Sequence, residues 1–400
     1  MATLQHALLF LASISPVISV PAENAPSKYI ISLKSDATTD IESHLSWVTD
    51  VHRRSLSRRD TAGVERTFSI GSNFNAYTGE FDSETIAQIK ENLNVAFVEV
   101  DVEQLVTTAL VTQTDAPWGI ASLSTPSLPN GNILGQKYVY DESAGGGTWA
   151  YVLDTGIFVN NTEFEGRAIK GYNAWPEDTF DDKYGHGSHV AGTIGSKTYG
   201  VAKKTTIVDV KVVRGTDGYS TIAKVLEGLD WIVKNITNTP GRAEKSVVSV
   251  SLAYAKSDVL NAGFEAAYAA GVLSVVGAAN DNEDASTKSP ASEPSVITVG
   301  AVDWQKTRAE WSNFGPLVDI FAPGVEIVSL WNKDDFPTTL SGTSMSTPHV
   351  SGLVLYLRGK ESLLTPDDAR DRLLALAQKG VVVNEGVGSP NFLAYHGAGA

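Results

Sequence analysis

Cysteine is absent from the 400 residues of the chain. Its absence excludes disulfide bonds, zinc–thiolate sites and thiol nucleophiles together. Basic residues are scarce relative to acidic ones, with 31 Lys and Arg against 46 Asp and Glu and a formal net charge of -15 at pH 7. A nucleic-acid binder neutralises phosphates with clustered Lys and Arg, so this charge balance argues against a nucleic-acid partner.

Long hydrophobic runs are missing as well, so the sequence predicts no membrane-spanning helix and no membrane partner. A shorter apolar stretch, from Ala7 to Val17, lies at the N-terminus and ends in the small-residue segment Val17-Ile18-Ser19. This arrangement is typical of a secretory signal peptide, although the region before it contains no Lys or Arg. We therefore expect residues 1–19 to be a signal peptide and the protein to be secreted and extracellular.

Two N-glycosylation sequons fit a secreted protein, namely Asn160-Asn161-Thr162 and Asn235-Ile236-Thr237. Such triplets also occur by chance in a chain of this length, so they add little weight. They make Asn160 and Asn235 candidate glycosylation sites.

A small α+β unit is predicted from Lys28 to about Val102, because strand and helix patterns alternate there. The segment from Glu103 to Asp115 then loses periodicity, which predicts a linker and a domain boundary. The predicted elements of this unit are strands at Tyr29–Leu33, Ala76–Phe81 and Ala96–Val102 and helices at Ile41–Val51 and Ser83–Leu93.

Beyond Gly147 the chain alternates apolar, Val-rich runs with amphipathic helices, which is the pattern of a parallel sheet covered on both faces. A crossover helix is predicted from Ile222 to Ile236 behind the capping candidate Ser220. Further helices are predicted at Asp258–Ala270, capped by Ser257, and at Pro366–Gln378, and strands at Trp149–Leu153, Thr206–Val213, Val247–Leu252, Val272–Val276 and Val296–Val302.

Without cysteine, a covalent hydrolase needs Ser or Thr activated by a neighbouring base, which is usually His. The chain has seven His, of which His186, His189, His349 and His396 fall in the larger domain. His186 stands out because it lies in Gly185-His186-Gly187-Ser188-His189, where small residues allow close approach to the imidazole.

Two more residues have the chemistry that such a base requires. Asp154 follows an apolar run at the C-terminal edge of a predicted parallel strand, where α/β proteins gather their sites. Ser344 opens a predicted helix, whose unpaired N–H groups and dipole favour negative charge beside the serine oxygen. Taken singly, Asp154 reads as a turn residue, His186 as a structural histidine and Ser344 as an N-cap. Together they follow the chain order of subtilisin, each in a Gly-rich context.

The three segments resemble the active-site signatures of subtilases, the subtilisin-like serine proteases: Asp154-Thr155-Gly156, Gly185-His186-Gly187-Ser188-His189, and the run from Gly342 to His349. The flanking segments Ala116-Pro117-Trp118-Gly119 and Ser289–Pro294 resemble the proteinase K branch, and within it the fungal secreted alkaline proteases. The resemblance implies an α/β, subtilisin-like three-layer fold with a mostly parallel central sheet.

The part of the chain that precedes this resemblance is similar to the family's inhibitor-type propeptide, a small α+β ferredoxin-like domain. The implied division is a signal peptide at 1–19, a propeptide at 20–108 and a peptidase domain at 109–400. The propeptide would act as intramolecular chaperone and inhibitor, with its tail as the first substrate and cleavage between Val106 and Thr114, just before Ala109. The resemblance further implies protein and peptide substrates and a monomeric enzyme.

Carried over position by position, the resemblance makes Ser344 the nucleophile and His186 the general base and then acid. It makes Asp154 the carboxylate that orients and stabilises the imidazolium. Asn280 matches the family's oxyanion donor, whose side-chain amide acts with the backbone N–H of Ser344. Read without the other residues, Asn280 is a loop asparagine that follows a strand.

The family's cleft binds peptide backbone as an added strand between two extended segments. Gly215 to Tyr219, including Gly218, and Ser251-Leu252-Ala253-Tyr254 match those segments. Relatives usually carry a Gly pair where this chain has Ala253 and Tyr254, and Ala-Ala-Gly where it has Gly277-Ala278-Ala279. The added β-carbons could crowd the subsite for the residue before the scissile bond, or strain a backbone suited to glycine.

A calcium site is implied by the resemblance alone. The backbone carbonyls of Pro294 and Val296 and the carboxylate of Asp319 match a cation site of the family, and such oxygen ligands suit a hard cation. Read by itself, Asp319 is a polar residue at a strand end. We expect structural calcium as the cofactor.

Several other classes of protein compete with this interpretation. An aspartic protease needs two Asp-Thr-Gly segments, whereas this chain has one. An α/β-hydrolase elbow reads Gly-x-Ser-x-Gly, which the segment from Gly342 to Ser346 does not match, and its acid and base follow in another order. A metal hydrolase lacks a third ligand beside His186 and His189. A non-catalytic relative that keeps the fold stays open because of the substitutions in the cleft.

Overall fold

The computed structural model describes residues 27–34, 37, 40–55, 62–71, 74–101, 109–127, 132–215, 217–334 and 336–398. The predicted signal peptide lies outside these residues. The chain divides into two compact units, residues 1–107 and residues 108–400. No helix in the described part of the chain is both long and apolar enough to cross a membrane.

The first unit has a β-α-β-β-α-β order and, within its described residues, one antiparallel sheet with the strand order β2-β3-β1-β4. The side chains of Asp40 and Asp82 cap the two helices by accepting from the N–H groups of Ser43 and Thr85. The elements are β1 (Ser27–Leu33), α1 (Ile41–Arg54), β2 (Gly63–Ile70), β3 (Phe74–Phe81), α2 (Ser83–Glu91) and β4 (Val95–Val100). This is the ferredoxin-like arrangement that the resemblance implies.

Strand β2 is missing from the sequence prediction. It pairs with β3 alone and is exposed along most of its length, so its side chains show no buried face. Its backbone hydrogen bonds, rather than an apolar pattern, define it as a strand.

The second unit contains the remaining elements. Its helices are α3 (Trp118–Ser122), α4 (His186–Gly195), α5 (Ile222–Thr237), α6 (Asp258–Ala269), α7 (Thr343–Lys360) and α8 (Pro366–Leu376). Its strands are β5 (Leu110–Ala116), β6 (Gln136–Asp141), β7 (Trp149–Asp154), β8 (Ala168–Asn173), β9 (Thr206–Lys211), β10 (Ser246–Val250), β11 (Tyr254–Ala255), β12 (Ser274–Gly277), β13 (Lys288–Ser289), β14 (Ile297–Val302), β15 (Ile320–Pro323), β16 (Ile327–Ser329), β17 (Thr338–Leu340), β18 (Gln378–Lys379) and β19 (Phe392–Leu393).

The central sheet of this unit has nine strands among the described residues, in the order β18-β19-β15-β14-β12-β10-β7-β9-β8. Every neighbouring pair is parallel except β18 and β19. Successive side chains of β7 enter different cores. Val152 packs in the cluster that contains residues of α4 and α7, whereas Tyr151 and Leu153 pack in the cluster that contains residues of α5 and α6. This alternation gives the predicted three layers, with helices on both faces.

Two sequence predictions need correction in this unit. Residues 110–116 form β5, paired with β6, instead of continuing an irregular linker. Thr221, not Ser220, caps α5, because its side chain accepts from the N–H of Lys224, while the Ser220 hydroxyl donates to the carbonyl of Val212. By contrast, the prediction of Ser257 as the cap of α6 is confirmed.

Candidate active site

The C-terminal end of β7 and the N-terminus of α4 bring Asp154 and His186 together. Asp154 is the last residue of β7, and His186 is the first of α4. The His186 Nδ1 atom lies 2.8 Å from Asp154 Oδ1 and 3.0 Å from Oδ2. Asp154 is only 1% exposed, and it also accepts from the N–H of Thr155 at 2.7 Å. A buried carboxylate thus holds one ring nitrogen of His186 and leaves the other free to face a substrate.

Asp182 organises this pair, although the sequence analysis did not single it out. Its buried carboxylate accepts from the backbone N–H groups of Gly185 at 2.7 Å and Ser188 at 2.9 Å, at the start of α4. It also accepts from the Thr155 hydroxyl at 2.9 Å, and that hydroxyl in turn accepts from the N–H of Gly187. The segment of Asp154 and the helix of His186 are therefore tied to one carboxylate. Asp182 lies outside the first turn of α4, so its position in the sequence gave no signal for these hydrogen bonds.

The pKa of the His186 imidazole reflects two opposing effects. Burial by itself lowers this pKa, but the charge and the hydrogen bond of Asp154 outweigh it, and the charge of Asp182 acts in the same direction. The pKa of His186 therefore lies above its usual value of 6.5. A raised pKa means that the protonated ring is stabilised, as a base that accepts a proton during a reaction requires.

Ser344 is the second residue of α7 and lies across a cavity from His186. Both residues line the same cavity of about 370 Å³, together with Tyr184, Trp331 and others. The Ser344 hydroxyl lies 3.3 Å from the Ser251 carbonyl oxygen, and the Ser251 hydroxyl donates to the Ser344 carbonyl at 2.9 Å. The predicted nucleophile and the predicted base therefore face one common space. The catalytic hydrogen bond is the one expected between the Ser344 hydroxyl and the His186 ring, and such bonds often tighten only when substrate binds.

Asn280 sits beside the N-terminus of α7 with its amide held in one orientation. Its Oδ1 atom accepts from the N–H of Thr343 at 2.8 Å, so its Nδ2 group is free to donate elsewhere. A β-carbon added at Gly342 would lie 3.6 Å from the Ser344 nitrogen and 3.7 Å from Asn280 Nδ2. The two donors therefore lie near one another at the start of α7.

Ser344 also lines a second cavity, of about 280 Å³. Of the residues predicted to bind substrate, it is lined by Ser251, Leu252, Ala253 and Ala279. Ala278 is fully buried, and Tyr254 lies in β11 opposite Ser289.

The other predicted cleft segment, Gly215 to Tyr219, lines neither of these two cavities in the part of the chain that the structure describes. At the ends of this segment, the N–H of Arg214 donates to the Tyr219 carbonyl at 2.8 Å. The N–H of Gly218 also donates to the Arg214 carbonyl at 3.1 Å.

Ala279, which lines the second cavity, has a left-handed backbone. Its φ is 79°, a region that disfavours any residue with a β-carbon. The backbone is held there, because its carbonyl accepts from the N–H of Asn313 at 3.0 Å and the next peptide carries Asn280. The prediction that this position suits glycine therefore has a structural basis.

Replacing Ala279 with glycine is expected to stabilise the protein by about 1 kcal/mol, because relief of the left-handed β-carbon exceeds the extra entropy of unfolded glycine. Urea unfolding of an inactive Ser344→Ala background measures this difference. The matched control is Ala278→Gly, since Ala278 is fully buried and is not among the residues with positive φ. It should lose stability; equal losses in both variants would argue against strain at Ala279.

The three predicted calcium ligands do come together, but around a side chain. Arg370 donates from one guanidinium nitrogen to the carbonyls of Pro294, at 2.9 Å, and of Val296. Its Nε atom lies 4.0 Å from Asp319 Oδ1. With Arg370 in this position, these oxygens do not fit a calcium ion.

A mostly parallel three-layer fold with a buried Asp–His pair, and a serine at a helix N-terminus facing it, defines a serine peptidase of the subtilisin-like class. Comparison with known proteins agrees with this class. Residues 145–399 match the Subtilase family, and residues 28–104 match the Peptidase inhibitor I9 family.

The relatives include an alkaline proteinase of Hapsidospora chrysogena, 47% identical over 415 residues and covering 100% of both chains. Another is the subtilisin-like proteinase Mp1 of Magnaporthiopsis poae, 48% identical over 405 residues with 98% of each chain covered. Among solved structures, a cold adapted subtilisin-like serine proteinase is 38% identical, with a TM-score of 0.64, covering 70% of this chain and 98% of its own. The chain belongs to the subtilase family. It is a serine endopeptidase made as a zymogen with an inhibitor-type propeptide.

Proposed function

We propose that Ser344, His186 and Asp154 are the catalytic residues of this endopeptidase. The observation that carries the proposal is the hydrogen bond between His186 and buried Asp154, in a cavity that Ser344 also lines. Asp154 holds the Nδ1–H tautomer of the imidazole, which leaves Nε2 as the base that faces the cavity.

The proposed reaction is acyl transfer to Ser344. His186 takes the hydroxyl proton as Ser344 attacks the substrate carbonyl, and then gives it to the leaving amine. Asn280 Nδ2 and the N–H of Ser344 bind the oxyanion, and loss of such a donor costs about 10²–10³ in rate in subtilisin itself. Water activated by His186 then hydrolyses the acyl-enzyme.

The second cavity is the proposed site for the side chain that precedes the scissile bond. Ser344 and Asn280 line it, together with Ser251, Leu252 and Ala253. Ala253 adds a β-carbon to this wall, so we expect it to narrow the subsite relative to a glycine. The peptide backbone is proposed to bind as an added strand between the segments Gly215–Tyr219 and Ser251–Tyr254.

Self-processing is proposed to occur just before Ala109. Residues from Leu110 onward form β5, and the Ala109 carbonyl accepts from the N–H of Glu142 at 2.9 Å. Cleavage before Ala109 leaves this strand intact, whereas cleavage between Leu110 and Thr114 would cut through it. We infer that the propeptide spans residues 20–108 and that the mature enzyme, a monomer, begins at Ala109.

Secretion is proposed on the basis of the predicted signal peptide at residues 1–19. Of the two sequons, Asn160 is the better candidate for a glycan, because it is exposed in a turn. Asn235 lies within α5, and its side-chain oxygen accepts from the Tyr151 hydroxyl at 2.6 Å. Subtilases commonly bind structural calcium. Because Arg370 contacts the three predicted ligands, a calcium ion among them is not part of this proposal.

Labelling with a fluorophosphonate probe tests the catalytic assignment. The mature protein is expected to take up one equivalent of probe at Ser344, because only a serine activated by a base reacts readily. Ser346→Ala is the matched control, since Ser346 lies on the same helix and its buried hydroxyl makes no hydrogen bond within the described residues. The control should label like the parent. Failure of matured protein to label would favour a non-catalytic relative instead.

A further inference from the structure

The Pro294–Val296–Asp319 site has three oxygens that face one point. The carbonyls of Pro294 and Val296 lie in the turn before β14, and Asp319 directly precedes β15. Asp319 is fixed there, since its Oδ2 accepts from the N–H of Thr298 at 2.8 Å and its own N–H donates to the Thr298 carbonyl at 2.9 Å. Two carbonyl oxygens and a carboxylate, all fixed by the backbone, form a negatively charged cluster that favours a bound cation.

The point that these oxygens face is taken by the guanidinium of Arg370. The side chain of Arg370 is 19% exposed, and that of Asp319 is 24% exposed. One guanidinium nitrogen donates to both carbonyls, and the buried Nε atom faces Asp319 at 4.0 Å without a hydrogen bond in the described part of the chain. The guanidinium therefore hydrogen-bonds the two carbonyl oxygens and compensates the negative charge of the Asp319 carboxylate.

Helix α8 aims Arg370 at this point. The helix is started by a capping box in which Thr365 and Asp368 bond reciprocally, with Pro366 at its first position. Arg372, two residues further on, faces a different neighbour and pairs with Glu361 at 2.7 and 3.0 Å. Side chains two positions apart point to opposite sides of a helix, so only Arg370 reaches the cluster.

We propose that Arg370 replaces the calcium ion at the Pro294–Val296–Asp319 site, so that this chain carries a permanent internal cation there. A calcium ion would have to compete with the guanidinium for the lone pairs of the same oxygens, and the charge of the guanidinium would repel it. The consequence is that the stability contributed by this site does not depend on the calcium concentration, as it would for a bound ligand. The proposal does not depend on which residues are catalytic.

The test removes Arg370 in the full chain carrying Ser344→Ala, so that self-digestion does not interfere. Calcium stoichiometry is measured by isothermal titration, and the unfolding midpoint is measured in EGTA and in millimolar CaCl2. Arg370→Ala is expected to bind one more calcium ion than its parent and to lose that ion again when Asp319→Asn is added. Its midpoint should fall in EGTA and recover in calcium by more than the parent responds. Arg372→Ala, the matched control, should respond to calcium as the parent does.

Two results would overturn the proposal. One is an Arg370→Ala protein that binds no additional calcium, and the other is a parent that loses one bound calcium through Asp319→Asn alone. If Arg370→Ala does not fold in EGTA, Arg370→Met keeps the aliphatic stem and removes the charge. The same stoichiometry is then expected of that variant.

Discussion

Replacing Ser344 with alanine is expected to lower kcat by roughly 10⁶-fold, the loss known for the nucleophile of subtilisin itself. The physical reason is that no hydroxyl is left to attack the substrate carbonyl, so the donors at Asn280 and at the α7 N-terminus can stabilise only the oxyanion formed by the slow direct attack of water. The same substitution should stop self-processing. Full-length precursor is expected to accumulate in a protease-deficient host, and N-terminal sequencing should find no chain that begins at Ala109.

Ser346→Ala is the control for this experiment as well. It removes a hydroxyl from the same helix without touching the cavity that contains His186. Mature protein with normal kcat is expected. Normal maturation of Ser344→Ala in the same host would refute self-cleavage. Parental kcat in the mature Ser344→Ala protein would refute the assignment of Ser344 as the nucleophile.

Asp154→Asn is expected to lower kcat by roughly 10⁴-fold, because an amide at this position favours the wrong tautomer of His186. The parent needs a neutral His186, and the pKa of that group lies above 6.5, so kcat/KM should fall as the pH drops through a value above 6.5. Without the charge of Asp154, burial dominates and lowers the pKa of His186. The acid limb of the variant should therefore move to lower pH.

Asp209→Asn is the matched control for Asp154→Asn. Asp209 is fully buried in β9, opposite Val152 of β7, and pairs with Lys170 at 3.0 Å. It is not among the groups that shift the pKa of His186. Its replacement should change kcat by no more than a few-fold and leave the acid limb in place. A rate for the parent that stays flat from about pH 8 to pH 5 would contradict His186 as the base.

Five strands of the central sheet were readable from the sequence because they are buried on both faces, namely β7, β9, β10, β12 and β14. Strand β15 was not predicted, although all four of its residues are buried. The apolar runs that end at Asp154, or that lie at Ile297–Val302, predicted β7 and β14 because a covered parallel strand has no polar side. β2 and β5 were not readable, because they are held by backbone pairing at exposed positions. The cap of α5 was misplaced by one residue because Ser220 and Thr221 have equivalent hydroxyls, and only the backbone conformation decides between them.

The chemistry of the site was readable to the extent that it depends on residue types and their order along the chain. Asp154, His186 and Ser344 stand out because an acyl-transfer site needs a carboxylate, an imidazole and a hydroxyl, and the glycines beside them mark close approach. The role of Asp182 was not readable. It acts through hydrogen bonds to the backbone of Gly185 and Ser188 and to Thr155, and such bonds leave no pattern in the letters.

The sequence by itself determined the class of this protein, since ordered signatures on an alternating β/α framework leave few other arrangements. Only the tertiary structure decided what fills the space between distant segments. Arg370 is an ordinary helical arginine in the sequence, yet the packing of α8 places its charge among oxygens of Pro294, Val296 and Asp319. The reason is that electrostatic contacts depend on distance in space, which the order of residues does not specify.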